Sequence, residues 1–292
     1  MNIILNERAY IEEILSSLKK PDDISMKRVI KLLAIYNHHV LGLKNQKNAD
    51  RIIEVLKALD PEYSITKYSQ IIDQYVGIAK VKHLVEIEYI PVTEAELEKI
   101  RELDSIGLEK FMFTALVYTK YHNLINPQNN NWVDTPLKIL WQEGDIRVKN
   151  RDKFSMTHKL TVMGLINMSS NSRVNFKVNI INNSSRVVLK ITDMRKLGLQ
   201  YLSYKGLKKD KNIKLCKGCG IHFRAKSPNQ LYCSNCLDDS SKDEPKVIHC
   251  IDCSAPIIVP YTDNHTKRCK ICKDEYYKKL KREYIQKRRS AV

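Results

Sequence analysis

The chain has no hydrophobic run long enough to cross a membrane. No apolar stretch approaches the roughly 20 residues that a membrane-spanning helix needs. At the amino end, Glu7, Glu12 and Glu13 stand where a secretion signal requires uncharged residues. We therefore expect a cytoplasmic protein with no membrane partner.

A catalytic pattern is also missing. No group of carboxylates and histidines has the spacing of a metal-dependent active site. The neighbouring His38 and His39 have no matching acidic or cysteine partner in the sequence, so we interpret them as surface or packing residues. The sequence predicts a binding protein and not an enzyme, with no catalytic residues.

Acidic residues are too few to balance the basic ones. The 292 residues contain 50 Lys and Arg against 33 Asp and Glu, a formal charge of +17. Residues 201–292 alone hold 21 basic against 10 acidic residues, so +11 of the +17 lies there. A surface this basic favours a polyanionic partner, which includes nucleic acid, anionic lipid and acidic proteins.

Cysteine occurs only near the carboxyl end, as four CxxC pairs. Thirteen residues separate the pairs of the first group and 15 separate those of the second. A CxxC sequence places two sulfurs on one tight turn, and two such turns supply four tetrahedral ligands to Zn²⁺ at about 2.3 Å. We predict two structural Zn²⁺ ions, held by Cys216, Cys219, Cys233 and Cys236, and by Cys250, Cys253, Cys269 and Cys272.

Other uses of eight cysteines remain open at this point. Disulfides are one, although a reducing compartment disfavours them, and redox-active CxxC pairs are another. The pairing of the CxxC turns is also open, because the gap between Cys236 and Cys250 is again 13 residues and permits a cross-braced arrangement. The acidic stretch at residues 237–246 is typical of a linker and favours sequential pairing.

The spacing predicts two zinc ribbons and a terminal helix. Short β-strands fit residues 221–224 and 257–259, so we place the ribbons at residues 213–238 and 247–273. Residues 274–290 contain no Gly or Pro and predict a basic helix with an apolar face of Tyr276, Tyr277, Leu280 and Tyr284. Its candidate phosphate contacts are Lys273, Lys278, Lys279, Lys281, Arg282, Lys287, Arg288 and Arg289.

The rest of the chain predicts an α+β protein that is mainly helical. Residues 1–91 show amphipathic helices, with a half-buried strand at residues 84–90 that Pro91 ends. Residues 92–206 form the predicted central domain. It holds a helix over residues 108–125, a short helix capped by Thr135 with Pro136 first, a third helix up to Gly164, and strands in LINMS and VNFKVNII.

This order of three helices and two strands, with SSNSR at the hairpin tip, resembles a winged-helix domain over residues 107–182. The resemblance implies that the third helix enters the major groove of duplex DNA, and winged helices also serve as protein-binding modules. It nominates as nucleic-acid contacts Arg151, Lys153, Thr157, His158 and Lys159 on or before the third helix, and Arg173 on the wing.

The segments MNIILNE, NPQNNNWVDT, VVLKITD and LGLQYL, together with the basic cysteine-rich tail, resemble an uncharacterised protein family of bacteriophages and prophages of Gram-positive bacteria. The resemblance implies expression in the cytoplasm of a bacterial host and brings no catalytic residues. This chain departs from the family in carrying two ribbons where one is usual, which leaves the role of the second open.

We therefore expect a nucleic-acid-binding zinc protein that favours duplex DNA and acts in transcription control or in replication or recombination. The alternative is an interaction module that binds a host or phage protein partner, such as a host RNA polymerase or ribosome.

Overall fold

The fold is mainly helical with small antiparallel sheets, as the sequence predicts. The computed structural model describes residues 3–19, 24–60, 63–169, 175–206, 212–240, 246–259 and 265–289. The chain divides into two units, Met1–Ile213 and Lys214–Val292. None of the described helices is both long and apolar enough to span a bilayer.

Four amphipathic helices open the first unit and share one hydrophobic cluster. Their apolar residues recur every three or four positions, which places residues such as Ile30, Leu33, Ile52 and Leu56 on buried faces. The fourth helix was not predicted, although Tyr68, Ile72 and Val76 have helical spacing and are buried. These helices are α1 (Glu7–Ser17), α2 (Met26–His39), α3 (Asn45–Leu59) and α4 (Ile65–Ile78).

The remainder of the first unit packs around one long apolar helix, α6, whose residues from Leu108 to Lys120 are all buried. A second hydrophobic cluster joins α6 to the elements on either side of it. These elements are β1 (Ile90–Thr93), α5 (Glu94–Arg101), α6 (Ile106–Ile125), β2 (Trp132–Val133), α7 (Leu137–Glu143), α8 (Asn150–Val162), β3 (Ile166–Met168), β4 (Phe176–Val178), β5 (Val187–Ile191) and α9 (Leu197–Lys205).

Two small sheets accompany these helices. Strand β4 lies between β2 and β3 in an antiparallel three-stranded sheet, and β1 pairs with β5. Phe176 and Val178 of β4 are buried and Lys177 between them is only partly covered, the alternation of a strand with one face on the core. Strand β2 was missed because it is two residues long and follows a polar loop.

Two local predictions were wrong. The strand predicted over residues 84–90 forms instead at Ile90–Thr93 and includes Pro91, which is tolerated because β1 pairs with β5 alone. Thr135 does not cap α7, since its hydroxyl lies 2.9 Å from Nε2 of His122 and Pro136 takes the cap position.

The second unit contains two cysteine modules of similar design. The first module consists of β6 (Ile213–Leu215), β7 (His222–Arg224) and α10 (Ser234–Ser240), and the second of β8 (Lys246–His249), β9 (Pro256–Val259) and α11 (Lys270–Arg289). Each is a strand pair followed by a helix. The predicted acidic linker begins inside α10, and its residues 241–245 lie outside the described part.

Candidate metal centres and basic surfaces

The first cysteine module brings four sulfurs together at one end of its hairpin. Cys216 follows β6, Cys219 precedes β7, Cys233 precedes α10 and Cys236 lies in its first turn. All four Sγ atoms lie within 4.8 Å of one another, and those of Cys219 and Cys233 are 3.7 Å apart. Four metal–sulfur bonds of about 2.3 Å at tetrahedral angles require a sulfur separation of about 3.8 Å.

Backbone N–H groups lower the pKa of one of these thiols and so favour the thiolate form that binds a cation. Burial raises the pKa of the Cys216 thiol, but N–H groups of Cys233, Cys219 and Gly218 outweigh it and bring the pKa to about 6. The pKa of Cys236 is raised instead, by burial and by the neighbouring sulfurs. Four thiolates this close repel one another, and a divalent cation at their centre is the group that stabilises them.

Glycine at position 218 leaves room for the sulfur of Cys236. A Cβ added there would lie 3.1 Å from Sγ of Cys236, closer than a carbon and a sulfur pack comfortably. Gly220 has φ +68°, a left-handed conformation that glycine adopts without strain. Both glycines therefore follow from the turn that presents Cys216 and Cys219.

The second cysteine module repeats this arrangement with Cys250, Cys253, Cys269 and Cys272. Their Sγ atoms also lie within 4.8 Å of one another, with 3.7 Å between those of Cys253 and Cys269. The N–H of Cys269 donates to Sγ of Cys250 at 3.3 Å, and this bond, together with the N–H groups of Asp252 and Cys253, lowers the pKa of Cys250 to about 6. Because Cys272 lies in the first turn of α11, the centre also fixes the start of that helix.

These contacts answer two of the open questions about the cysteines, the pairing of the CxxC turns and the formation of disulfides. The sulfurs group sequentially, as the simpler pairing predicts, and the cross-braced alternative is not formed. All eight cysteines lie in the described residues, and none forms a disulfide. Each cluster supplies four soft thiolate donors in tetrahedral reach, which fits the prediction of two metal ions and suits Zn²⁺.

The third helix of the central region, α8, exposes some of its predicted nucleic-acid contacts to solvent and buries one of them. His158 and Lys159 are exposed, and Lys159 forms an ion pair with Asp104 at 2.6 Å. Lys153 places Nζ 4.6 Å from the centre of the Trp141 ring. Arg151 lies on the helix, its side chain outside the described part, and Arg173 lies outside the described residues altogether.

Thr157 must be withdrawn from the candidate contacts. Its side chain is buried, and its hydroxyl donates to the carbonyl of Phe154 at 2.9 Å. The outward face of α8 instead carries Phe154 and Val162, exposed by 62% and 73%, in line with His158 between them. The four-residue spacing of Phe154, His158 and Val162 was visible in the sequence, but an apolar residue is normally expected to face the core.

The terminal helix α11 keeps its basic residues in solvent. Lys273, Lys278, Lys279, Lys281 and Arg282 are all exposed. Lys287, Arg288 and Arg289 lie on the same helix, with side chains outside the described part. Of the predicted apolar face, Tyr276, Tyr277 and Leu280 are exposed, with Tyr277 at 58%, and the side chain of Tyr284 lies outside the described part.

A cleft on the second cysteine module was not foreseen from the sequence. It has a volume of about 480 Å³ and lies where β9, the segment before Cys269 and the first turns of α11 meet. Arg268 is fixed in it by an ion pair with Asp252 at 2.6 Å and by stacking 4.1 Å over the ring of Tyr276. Its other lining residues are Ile257, His265, Thr266, Lys267, Lys270, Lys273 and Tyr277.

Comparison with known proteins gives no match: no family model, no curated protein and no solved structure is similar to this chain. The function is therefore inferred from the two metal centres and from the charged and aromatic surfaces beside them.

Proposed function

We propose that this protein binds nucleic acid, with duplex DNA as its preferred form, and that its two Cys₄ clusters bind structural Zn²⁺. The observation that carries the proposal is the basic, exposed helix α11, which starts at the second cluster. Between Lys267 and Arg289 the sequence holds 11 basic residues against three acidic ones. In this proposal the metal fixes the base of a helix that lies along phosphates.

The zinc ions have no catalytic part in this proposal. Four cysteine ligands complete a tetrahedral site and leave no position for water or substrate, which is the pattern of structural zinc. In modules this small, metal binding supplies folding free energy that hydrophobic burial cannot provide. Zn²⁺ therefore serves to hold the hairpins and the start of α11 in place.

The phosphates attract α11 without regard to sequence. Each Lys or Arg that neutralises a phosphate releases a condensed counterion, so affinity rises as salt is lowered. The cleft adds Lys267 to this surface and is also lined by Lys270 and Lys273 of α11 and by the exposed ring of Tyr277. Such contacts position the protein on DNA and carry little sequence information.

We assign sequence preference to a winged-helix domain in the central region. The succession α6, α7, α8, β3, β4 and the antiparallel pairing of β3 with β4 support this assignment. Helix α8 would enter the major groove with His158, Lys159 and Lys153 near the DNA. The setting we propose is a phage or prophage protein in a bacterial cytoplasm, where it acts in transcription control or in replication or recombination.

A charge-neutralised helix tests the proposal. In the zinc-loaded protein, Lys278, Lys279, Lys281 and Arg282 are all changed to Gln, and duplex binding is followed by fluorescence anisotropy at several salt concentrations. We expect at least a tenfold loss of affinity, and a salt slope shallower by about 0.9 for each phosphate that is no longer neutralised. The matched control changes Lys44, Lys47, Lys57 and Lys80 to Gln, four exposed lysines on or next to α3 and α4.

The control variant should bind like the unmodified protein. Equal loss in both variants would mean that only net charge matters, and an unchanged α11 variant would remove the helix from the interface.

A second candidate function is an interaction module for a host or phage protein. It is favoured by Phe154 and Val162, which expose large apolar side chains on α8. A stoichiometric protein partner that survives nuclease treatment of a bacterial lysate, and is lost with Phe154→Ser, would support this candidate over DNA readout. We propose no enzymatic activity, and clear metal-dependent cleavage of DNA or RNA by the pure protein would overturn that view.

A further inference from the structure

The first unit contains a large cavity that the proposed DNA contacts do not use. Its volume is about 800 Å³, within the range of roughly 300–1,000 Å³ that is typical of small-molecule sites. Its walls come from α2, from the segment that follows α4, and from α6. It therefore lies where the amino-terminal helices meet the long central helix.

Positive charge converges on this cavity from two walls. Helix α2 contributes Lys27, Arg28 and Lys31, and the segment after α4 contributes Lys82 and His83. Lys27 and Lys31 are four residues apart on one helix face, a spacing at which like charges repel. Four cationic side chains and one histidine therefore line the same cavity.

Negative charge at the cavity is limited to one side chain among the described lining residues. Glu7 accepts the backbone N–H of Val85 at 3.0 Å and lies 3.7 Å from the guanidinium of Arg28. With His83 neutral, four positive side chains against Glu7 leave a formal charge of +3 around the cavity. An anion of comparable charge is the ligand that such a site would attract.

The third wall is apolar and aromatic. Helix α6 supplies Tyr121 and Ile125, and the amino-terminal helices add Tyr75 and Ile35. Tyr121 and Tyr75 are half-buried, so each offers a ring fixed by packing on one side. Rings of this kind stack on heteroaromatic bases, and lysine and arginine bind phosphates.

We propose that this cavity binds a nucleotide, with its phosphates among Lys27, Arg28, Lys31 and Lys82 and its base against the tyrosines. Bound there, the nucleotide contacts both the amino-terminal helices and α6. The site gives the amino-terminal helices a function, and it uses none of the residues assigned to DNA binding.

Calorimetric titration of the zinc-loaded, full-length protein tests the proposal. The probes are ATP, inorganic triphosphate and adenosine, all without divalent cations. We expect ATP to bind saturably at one per chain, triphosphate at least fivefold more weakly, and adenosine not measurably. The double variant Lys27→Gln/Lys82→Gln should bind ATP at least tenfold more weakly, because both lysines line the cavity.

The double variant should fold normally, because Lys27 and Lys82 are exposed to solvent, and an unchanged melting temperature checks this. The matched control is Lys47→Gln/Lys57→Gln on α3, two exposed lysines that do not line the cavity. The control should bind ATP normally.

The α11 variant described above separates this site from the DNA surface, since it should lose DNA affinity and keep ATP affinity. Absence of saturable ATP binding would overturn the proposal. Equal weakening of ATP binding in the control would also overturn it, as would ATP binding that disappears with the α11 substitutions.

Discussion

The two cysteine modules share a backbone design and differ in what surrounds the sulfurs. In each, the first cysteine's N–H donates to a carbonyl across the hairpin at 2.9 Å, and the third cysteine's N–H donates to the first sulfur. The first module also has a hydrophobic cluster with Phe223 only 7% exposed. In the second, Ile258 and Ile271 are each 72% exposed.

The comparison indicates that the first module has a structural role and the second a binding role. The first module buries Phe223, Ala225 and two of its cysteines, although Leu215, Leu231 and Leu237 are exposed, so it has a small hydrophobic core of its own and can serve as a base. The second leaves Cys253, Ile251, Ile258 and Ile271 exposed, and it continues into the basic helix and the cleft. Exposed apolar and aromatic residues beside lysines are what a binding surface needs. We infer that the second module is the one that contacts nucleic acid.

The largest expected effect is that of metal removal. A strong chelator should remove two Zn²⁺ per chain and unfold both modules, because a structural zinc site of this kind contributes about 10–16 kcal/mol. The first unit should keep its helices, since its two hydrophobic clusters contain no cysteine. Native mass spectrometry gives the stoichiometry, and hydrogen exchange shows which residues unfold. Fewer than two Zn²⁺ per chain would contradict the assignment.

The next largest difference should come from truncating one apolar side chain in each module. Phe223→Ala should destabilise the first module by about 3 kcal/mol, the usual cost of truncating a buried aromatic residue. Ile258→Ala in the second module should change stability by no more than about 0.5 kcal/mol, since that side chain faces solvent. The measurement is the chelator concentration that releases half of the zinc from each module. Similar losses in both would remove the structural difference we describe.

Tyr277 should matter for binding and not for stability. Loss of a stacking aromatic costs about 1–3 kcal/mol per base, so Tyr277→Ala should weaken binding to single-stranded DNA at least fivefold. Leu231→Ala, at an exposed apolar residue of the first module, is the matched control and should bind normally. Anisotropy with labelled oligonucleotides measures both. If Leu231→Ala lost as much affinity as Tyr277→Ala, the contact would not be specific to the second module.

The smallest effect concerns one residue after each CxxC turn. Gly220 and Ser254 occupy equivalent places with φ +68° and +56°, and only glycine adopts this conformation without strain. Ser254→Gly should therefore stabilise the second module by about 0.5–1 kcal/mol, and Gly220→Ser should destabilise the first by at least as much. Zinc-release midpoints test the pair. Changes of the same sign in both variants would contradict the comparison.

The sequence predicted those features of the fold and of the candidate sites that depend on neighbouring residues in the chain. The Cys₄ groups were predictable because the CxxC spacing itself sets the turn, and α11 because its residues are uniformly helix-forming. The orientation of α8 was not, since Thr157 is polar yet buried and Phe154 is apolar yet exposed. Only the position of α8 on its neighbours decides which face is covered.

Sites formed by residues from distant segments of the chain could not be predicted from the sequence either. The cleft of the second module combines Ile257 with Tyr277, and the cavity of the first unit combines Lys31 with Lys82 and Tyr121. No spacing rule relates these positions, because packing between elements brings them together. Strand β1 was misplaced for a related reason, since Pro91 is acceptable only where the strand has a single partner.

The most direct test is an amide hydrogen-exchange footprint of the zinc-loaded protein with and without duplex DNA. Our account predicts protection of residues 265–283 and of α8, and little change in residues 213–236 of the first cysteine module. Protection of the first module with none at residues 265–283 would contradict the claim that the second module is the one that binds.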